Sequence, residues 1–408
     1  MLRLLALRDV RLFLIGQTLS LFGDTALYLA LGIWVKSLTG SNAAAGLIFF
    51  ALALPALAAP AAGLLVDRVR RRPLMIATNL LIGLAVLLLL FVHGRGQLWL
   101  IYAVAGLYGA AGVVFSSAQS ALLTVMLPDE LLSEGNAALQ TVREGLRIVG
   151  PLTGAAIYAS FGGEFVAALD AATFGASALC LTALRVAEPT PSRSAQRFRT
   201  ELVAGVRHVL HTTALRHIVL TVAVTLLVVG FSETLVYAVV GQGLRRPPSF
   251  LGVLSSVQGI GAIAGGLTAS RTLRRIGDAR TIALGIGLFA LGSLLLMSGT
   301  LVVVLAGFLV AGAGLPWVVV GFGTALQRRT PARLQGRVYS AADTMVSMPQ
   351  TVSIALGAAL STVVDYRILI AVMATVMLGC AAFLFTRRVD VAAPYGPIIT
   401  TSTASAGT

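Results

Sequence analysis

Long apolar runs recur along the whole chain, and charge is confined almost entirely to the short stretches between them. A helix needs about 20 mostly apolar residues to cross a bilayer. Cutting the chain at charged and turn-forming residues gives twelve such runs, at about 12–35, 43–66, 74–92, 98–126, 136–159, 164–184, 216–240, 249–270, 280–298, 301–326, 338–362 and 367–386. Of the 408 residues, 57% are hydrophobic and 11% are charged. Soluble domains carry roughly 25% charged residues, so a water-soluble fold of this composition could not cover its own surface. The expected fold is therefore an all-α integral membrane protein with twelve transmembrane helices. The first run follows a basic N-terminus, as a signal peptide would. It continues to about Lys36, however, and more spans follow, so it reads as an uncleaved first helix.

Only the connection at about 185–215 is long. It holds Pro189, Pro191, Ser192 and Ser194, then Phe198, Leu202, Val206, Val209 and Leu210 at helical spacing beside Arg199 and Arg207. That pattern predicts an amphipathic helix lying at the membrane surface. The expected organisation is a six-helix bundle over 1–185, a cytoplasmic linker over 186–215, a second six-helix bundle over 216–388, and a Thr-, Ser-, Ala- and Pro-containing tail over 389–408 that is expected to be disordered. Basic residues set the orientation. With both termini in the cytoplasm, inner loops and ends hold 23 basic residues and outer loops hold five: Lys36, Arg95, Arg245, Arg246 and Arg367. This places the chain in the inner (plasma) membrane as a multi-pass protein. It also accounts for the net charge of +14 without nucleic acid, because the basic side meets the anionic inner leaflet.

The halves match at a fixed offset of 203: Gly63 with Gly266, Arg68 with Arg271, Arg71 with Arg274, Arg72 with Arg275, Pro128 with Pro331, Leu131 with Leu334 and Gly154 with Gly357. Six plus six helices in parallel repeat suit a rocking secondary transporter with substrate near the midplane. The stretch Gly63-x-x-x-Asp67-Arg68-x-x-Arg71-Arg72 resembles the loop 2–3 signature of the major facilitator superfamily, with Arg70 where that family usually has Gly. Its second-half echo has Ser270 in place of the acid. Further stretches are GQTLSLFGD (16–24), GNAALQTVREGLRIVGPLTGA (135–155), DAATF (170–174) and FRTELVAGVRHVLHTTALRH before the seventh span. Together they resemble the drug–proton antiporter branch that includes macrolide-efflux-type permeases. Gly150-Pro151-x-x-Gly154 is similar in part to the antiporter signature of the fifth span, with Ala155 in place of a second Gly. The resemblance implies the major facilitator fold, two six-helix pseudo-repeats, and export over import.

A charge at membrane depth costs about 2.5–3.5 kcal/mol or more, so each one needs a reason. Asp24 lies 13 residues after Arg11, roughly 20 Å along a helix. Gln17, Ser20, Asp24 and Tyr28 form one polar face. Glu233 lies 17 residues after Arg216, with Tyr237 one turn on, in the pseudo-repeat of the first span. Asp24 and Glu233 are the candidate proton-coupling or substrate-cavity acids, against readings as a structural acid and a rim residue. Asn136, Gln140, Arg143 and Arg147 step along span five with Glu144 beside them; structural ion pairing is the simpler reading there. Asp343 heads a stripe with Ser347 and Gln350 and is a candidate inner gate. Asp170, six residues from Glu164, is expected near the outer face, capping or bonding a helix. For Asp67, with Arg68 and Arg71 close by, the expectation is a charge latch that holds the inner side shut. The alternative is that the Arg cluster sets topology alone.

Nothing points to an enzyme, because no nucleophile–base set appears. The single lysine, Lys36, excludes a P-loop. Cys180 and Cys380 read as packing residues, and His208 with His211 as a solvated helix face, so no metal or other cofactor is expected. The expected partners are a small-molecule substrate, protons and the bilayer, for a monomeric chain. The expected function is proton-coupled efflux of amphiphilic neutral or cationic compounds, such as macrolide-like drugs conferring multidrug resistance. Export of a native metabolite such as a siderophore, or movement of a lipid or lysolipid, remains the alternative.

Overall fold

The computed structural model describes residues 6–58, 66, 69–186, 188, 198–331 and 334–387. Gly63, Asp67, Arg68 and the 389–408 tail lie outside the described residues, as does the side chain of Glu144. Among the described residues every regular element is helical. The helices are α1 (Arg8–Thr39), α2 (Asn42–Ala53, extended by a 3₁₀ turn over Leu54–Ala58), α3 (Arg71–Leu87), α4 (Leu98–Met126), α5 (Asp129–Thr182) and α6 (Phe198–His211). They continue with α7 (Thr213–Val229), α8 (Ser232–Ala238), α9 (Leu251–Ile276), α10 (Asp278–Leu295), α11 (Leu301–Arg328), α12 (Gln335–Leu360) and α13 (Tyr366–Thr386).

Two places look different from a simple count of apolar runs. The 54-residue α5 holds spans five and six, with a break at Gly162, whose φ of 84° and ψ of 175° suit a residue without Cβ. Its limbs run in opposite directions along α1. Gly150 and Gly154 of the first limb abut Thr25 and Ala26, whereas Cys180, Thr173 and Gly163 of the second limb meet Gly16, Gly23 and Trp34 in reverse order. The seventh span is α7 and α8 in series, closing with a π turn over Val239–Gly243. Among the described residues nine helices are long and apolar enough to cross a membrane. Three more crossings complete the twelve: α2, which is shorter, the first limb of α5, and α12, which is more polar because it packs against α2, α6 and α7. Large apolar side chains such as Leu84, Phe91, Trp99, Leu179 and Val302 face outward from the bundle, as lipid contact requires.

Packing reflects the repeat. A Cβ built on Gly154 would lie 2.6 Å from Ala26 Cα, and one on Gly357, 203 residues on, would lie 2.8 Å from Phe231 Cα. Small residues thus let span five close on span one, and span eleven on span seven. At Gly150 the hole accepts Thr25; at the equivalent Ser353 the knob and hole are exchanged, and Ser353 enters the space of Gly230.

Each half has its own apolar cluster toward the arginine-rich end. In the first half it includes Phe13, Met75, Leu122 and Leu181, and in the second Ile218, Ile282, Leu326 and Val338. A third cluster is shared between the halves and joins Ile33, Ala45 and Phe49 to Leu235, Tyr237, Leu254 and Ile354. Its members lie toward the arginine-poor ends of their helices. There Gly46 accepts Thr234, Gly32 accepts Tyr237, and Gly252 accepts Ala155. The halves are therefore packed together at the arginine-poor end.

Polar contacts at the arginine-rich end tie helices of one half together. The Glu188 carboxylate accepts from the backbone N–H groups of Arg71 (2.6 Å) and Arg72 (2.8 Å), at the α3 N-terminus where helix donors are otherwise unpaired. The Arg72 guanidinium donates to the carbonyls of Leu181 and Thr182 at the end of α5. In the second half Arg329 and Asp278 form a buried ion pair that ties the end of α11 to the start of α10. The helix expected in the linker is present as α6. It docks on the second half, with Gly205 against the backbone of Arg337 and His208 Nε2 3.2 Å from the Arg329 carbonyl.

Candidate functional site

A cavity of about 1320 Å³ lies between the halves, beneath the shared cluster. Most of its wall is apolar: Leu29, Phe49, Ile263, Leu267, Phe289, Phe308, Val319 and Met373. Polar groups enter at few points. Asp24, Thr25 and Tyr28 come from α1, Tyr108 from α4, Gln140 and Arg147 from α5, Glu233 and Tyr237 from α8, Gln258 from α9 and Gln350 from α12.

Helix geometry explains how these residues meet. Asp24 and Tyr28 are four apart on α1, so both point at the same wall. Tyr108 reaches across from α4 and donates its hydroxyl hydrogen to Asp24 Oδ1. Tyr28 stacks at a tilt on Phe49, with centroids 4.9 Å apart, and Phe49 in turn lies 6.3 Å from the Tyr237 ring. Arg147, of the first half, lies within electrostatic reach of Glu233, of the second, and of Tyr28. The cavity thus carries one carboxyl from each half, one guanidinium, and several aromatic faces. This set can hold a cationic or neutral amphiphile by carboxylate contact and cation–π attraction.

The candidate residues fall into distinct places. Asp24, Tyr28, Glu233, Tyr237, Arg147 and Pro151 line the cavity. Gln17 continues the α1 stripe but is buried between helices, where its Oε1 accepts from Gln119 Nε2 at 2.6 Å. Gly150 and Gly154 form the α1 contact of α5 rather than the wall. Arg143 and Asp343 are exposed and stand apart from the cavity lining, and the Asp343 carbonyl accepts from Ser347. Arg71 begins its helix, and its backbone N–H donates to the capping carboxylate of Glu188.

Asp170 departs from expectation. It is fully buried, facing α1 in mid-helix rather than capping an end. A Cβ on Gly23 would collide with its Oδ1, and the Tyr108 hydroxyl interacts with it as well as with Asp24. Little in the sequence signals this pair. Tyr108 shares an apolar run with Tyr102, where packing is the ordinary reading, and the distance of Asp170 from Glu164 does not report the face it occupies.

The sequence profile described as the Major Facilitator Superfamily matches residues 13–245 and 222–400. An uncharacterized MFS-type transporter of Bacillus subtilis (strain 168), YfiS, is 25% identical over 366 residues, covering 85% of each chain. The crystal structure of a bacterial homologue of the iron transporter ferroportin, in its inward-facing state, superposes with a TM-score of 0.72 at 16% identity, covering 93% of this chain and 99% of that one. A POT family transporter in complex with a thioalcohol-conjugated peptide gives a TM-score of 0.73 at 11% identity, covering 92% of this chain and 95% of the other. A profile match across both halves and a shared twelve-helix fold together show that this chain belongs to the Major Facilitator Superfamily, as a membrane transporter and not an enzyme.

Proposed function

We propose that this protein is a proton-coupled secondary transporter that exports amphiphilic, neutral or cationic small molecules by alternating access, acting as a monomer. The observation that carries the reading is the pairing of Asp24 and Glu233, one from each half, in a cavity whose wall is otherwise apolar and aromatic. A carboxylate in such a wall attracts a cation, and a proton competes for the same oxygen atoms. Protonation then releases cargo, and deprotonation readies the site for the next molecule. Arg147 offsets part of the negative charge beside Glu233, which leaves room for neutral cargo as well.

Direction follows from the same arrangement. The excess of Arg supports a cytoplasmic location for that end of the bundle and for both termini, in the inner (plasma) membrane. The halves touch at the opposite end, so the cavity is poised to receive cargo from the cytoplasm or inner leaflet. Asp67, Arg68 and Gly63 of the loop 2–3 signature serve as the inner latch in this reading, with Asp343 as a candidate inner gate. The close α1–α5 packing at Gly150, Pro151 and Gly154 supplies a joint about which the first half keeps its shape.

The test is transport in proteoliposomes holding the full chain, with an imposed pH gradient and ethidium, tetraphenylphosphonium and a macrolide as probes. Movement driven by the gradient and abolished by its collapse is expected, with Asp24→Asn inactive. No gradient-dependent movement of any probe would overturn the reading. Redistribution of a labelled lysolipid between leaflets, without drug transport, would replace it with a lipid carrier.

A further inference from the structure

We propose that Asp170, Tyr108 and Asp24 form a proton relay, in which Asp170 is a buried proton store and Tyr108 passes the proton to the cavity acid Asp24. The inference rests on the proton-coupled reading above and adds Asp170 and Tyr108, for which that reading had no use.

The geometry is that of two carboxyl groups about a single hydroxyl. Tyr108 has one hydrogen to give, and it gives it to Asp24 Oδ1. Its oxygen remains able to accept. Asp170 is fully buried, and its Oδ2 has no hydrogen-bond partner. Its Oδ1 meets the Thr173 hydroxyl, at 3.5 Å, and the backbone beside Gly23, and the Tyr108 hydroxyl lies within hydrogen-bonding reach of the carboxyl. The elements around it bring no cation among the described residues. From α1 comes Asp24, from α4 comes Tyr108, and the neighbouring turns of α3 present Asn79, bonded to Ser177, and Gly83 against Phe174. An unpaired buried carboxylate is far costlier than a buried carboxylic acid, and two carboxylates about one site do not both ionise. Asp170 therefore holds a proton, and the acceptor within its reach is the Tyr108 oxygen.

The step balances without any other reactant. The Asp170 O–H bond breaks as its proton bonds to the Tyr108 oxygen, while the original Tyr108 O–H bond breaks and that proton bonds to Asp24. Asp24 becomes neutral, Asp170 becomes the carboxylate, and Tyr108 is a neutral phenol before and after. Asp24 and Tyr108 line the cavity and Asp170 does not. Cargo bound at Asp24 thus meets a proton supplied from behind the wall, and no water needs to share the site with it.

Two measurements on the purified full chain test this. The first is infrared difference spectroscopy of the carboxylic acid C=O stretch during a pH titration. The wild type should show a protonated carboxyl band that disappears in Asp170→Asn and whose frequency and titration move in both Asp24→Asn and Tyr108→Phe. A permanently protonated structural acid would leave the band unmoved by those two substitutions, and a spectrum without such a band would also overturn the proposal. The second is gradient-driven ethidium efflux in proteoliposomes, paired with ethidium binding measured by fluorescence anisotropy. Loss of the bridging hydroxyl in Tyr108→Phe should slow efflux about 100-fold, as loss of a positioned proton donor does, and Asp170→Asn, which lies outside the cavity wall, should slow it with ethidium affinity little changed. Wild-type efflux rates and pH profiles in both Tyr108→Phe and Asp170→Asn would refute the relay. Failure of the wild type to move ethidium would count against the transport reading alone, because the infrared result stands without it.

Discussion

Replacing Gly46 by Ala puts a methyl group where the two halves touch. A Cβ at this position overlaps the Thr234 side chain, with Thr234 Cβ at 2.7 Å and Cγ2 at 3.1 Å. Rotating the Thr234 hydroxyl away does not relieve the clash, because Cβ itself does not move. Overpacking of this kind costs about 1–3 kcal/mol. Gly46 lies in α2 and Thr234 in α8, so the cost falls on the conformation that closes the arginine-poor end and vanishes when that end opens. Ala is also a better helix former than Gly by about 1 kcal/mol, but that gain is common to both conformations and cancels. The balance should shift toward the state open at the arginine-poor end by roughly 5- to 150-fold.

A cysteine reporter measures the shift. In a chain with Cys180 and Cys380 replaced by Ser, Ser255→Cys places a thiol on the cavity wall. A membrane-impermeant maleimide added from the arginine-poor side reaches it when that end opens. Gly46→Ala should raise the labelling rate by the factor given. The control is Gly285→Ala, whose Cβ would lie 2.7 Å from the Gly314 carbonyl and 2.9 Å from Val318. That contact is between α10 and α11, within one half, so it costs as much in every conformation. Gly285→Ala should lower the melting temperature and leave labelling unchanged. The reasoning is wrong if Gly46→Ala lowers the melting temperature without changing the labelling, or if Gly285→Ala speeds labelling equally.

Other substitutions probe single contacts. Asp278→Asn leaves the buried Arg329 guanidinium without its counter-charge and should cost about 3–5 kcal/mol, read as a fall in thermal stability; the double change Asp278→Leu with Arg329→Leu should recover most of that. Glu188→Ala strips the acceptor from the N–H groups of Arg71 and Arg72, a loss of about 1.5–3 kcal/mol for a charged acceptor, so hydrogen exchange at the start of α3 should quicken while the rest of the bundle keeps its protection. Asp67→Asn should insert in the membrane at the wild-type level yet lose gradient-driven ethidium efflux; wild-type efflux would rule out the latch.

Length and apolarity made the fold legible, since a lipid solvent leaves few alternatives to a helical bundle. The offset of 203 made the repeat legible because the matching residues cluster in equivalent loops. The places that resisted reading have physical reasons. Span eleven is polar because α12 lies between other helices instead of in lipid. The stripe of Gln17, Ser20, Asp24 and Tyr28 is real, but spacing reports only a common face and not what covers it. Gln17 and Ser20 are buried among neighbouring helices, whereas Asp24 and Tyr28 meet the cavity. Asp170 could not be placed from its own helix at all, because its partners come from α1 and α4, and only tertiary packing brings those together.

The repeat also shows where the two halves part company. At the fixed offset of 203, Tyr108 corresponds to Ala311 and Asp170 to Met373, and both of those residues line the cavity. Asp24 corresponds to Leu227, while Glu233 stands one turn and a half beyond it along the seventh span. The same backbone positions thus carry a hydrogen-bonded polar network in the first half and apolar wall in the second. Duplicate backbones do not demand this difference; Gly154 and Gly357 keep the packing role common to both. What differs is the chemistry offered to the shared cavity. In the proposed relay the first half holds and passes a proton, and the second presents apolar surface with one acid, Glu233, set against Arg147 of the first. Because the charged groups of the two halves meet across the seam, a proton gained by one changes the field felt at the other. In the proton-coupled reading a single protonation event is thereby felt by both halves at once, so substitutions at Asp24 and Glu233 should be non-additive in transport rate, whereas Asp24 and Asp278, in separate networks, should combine additively.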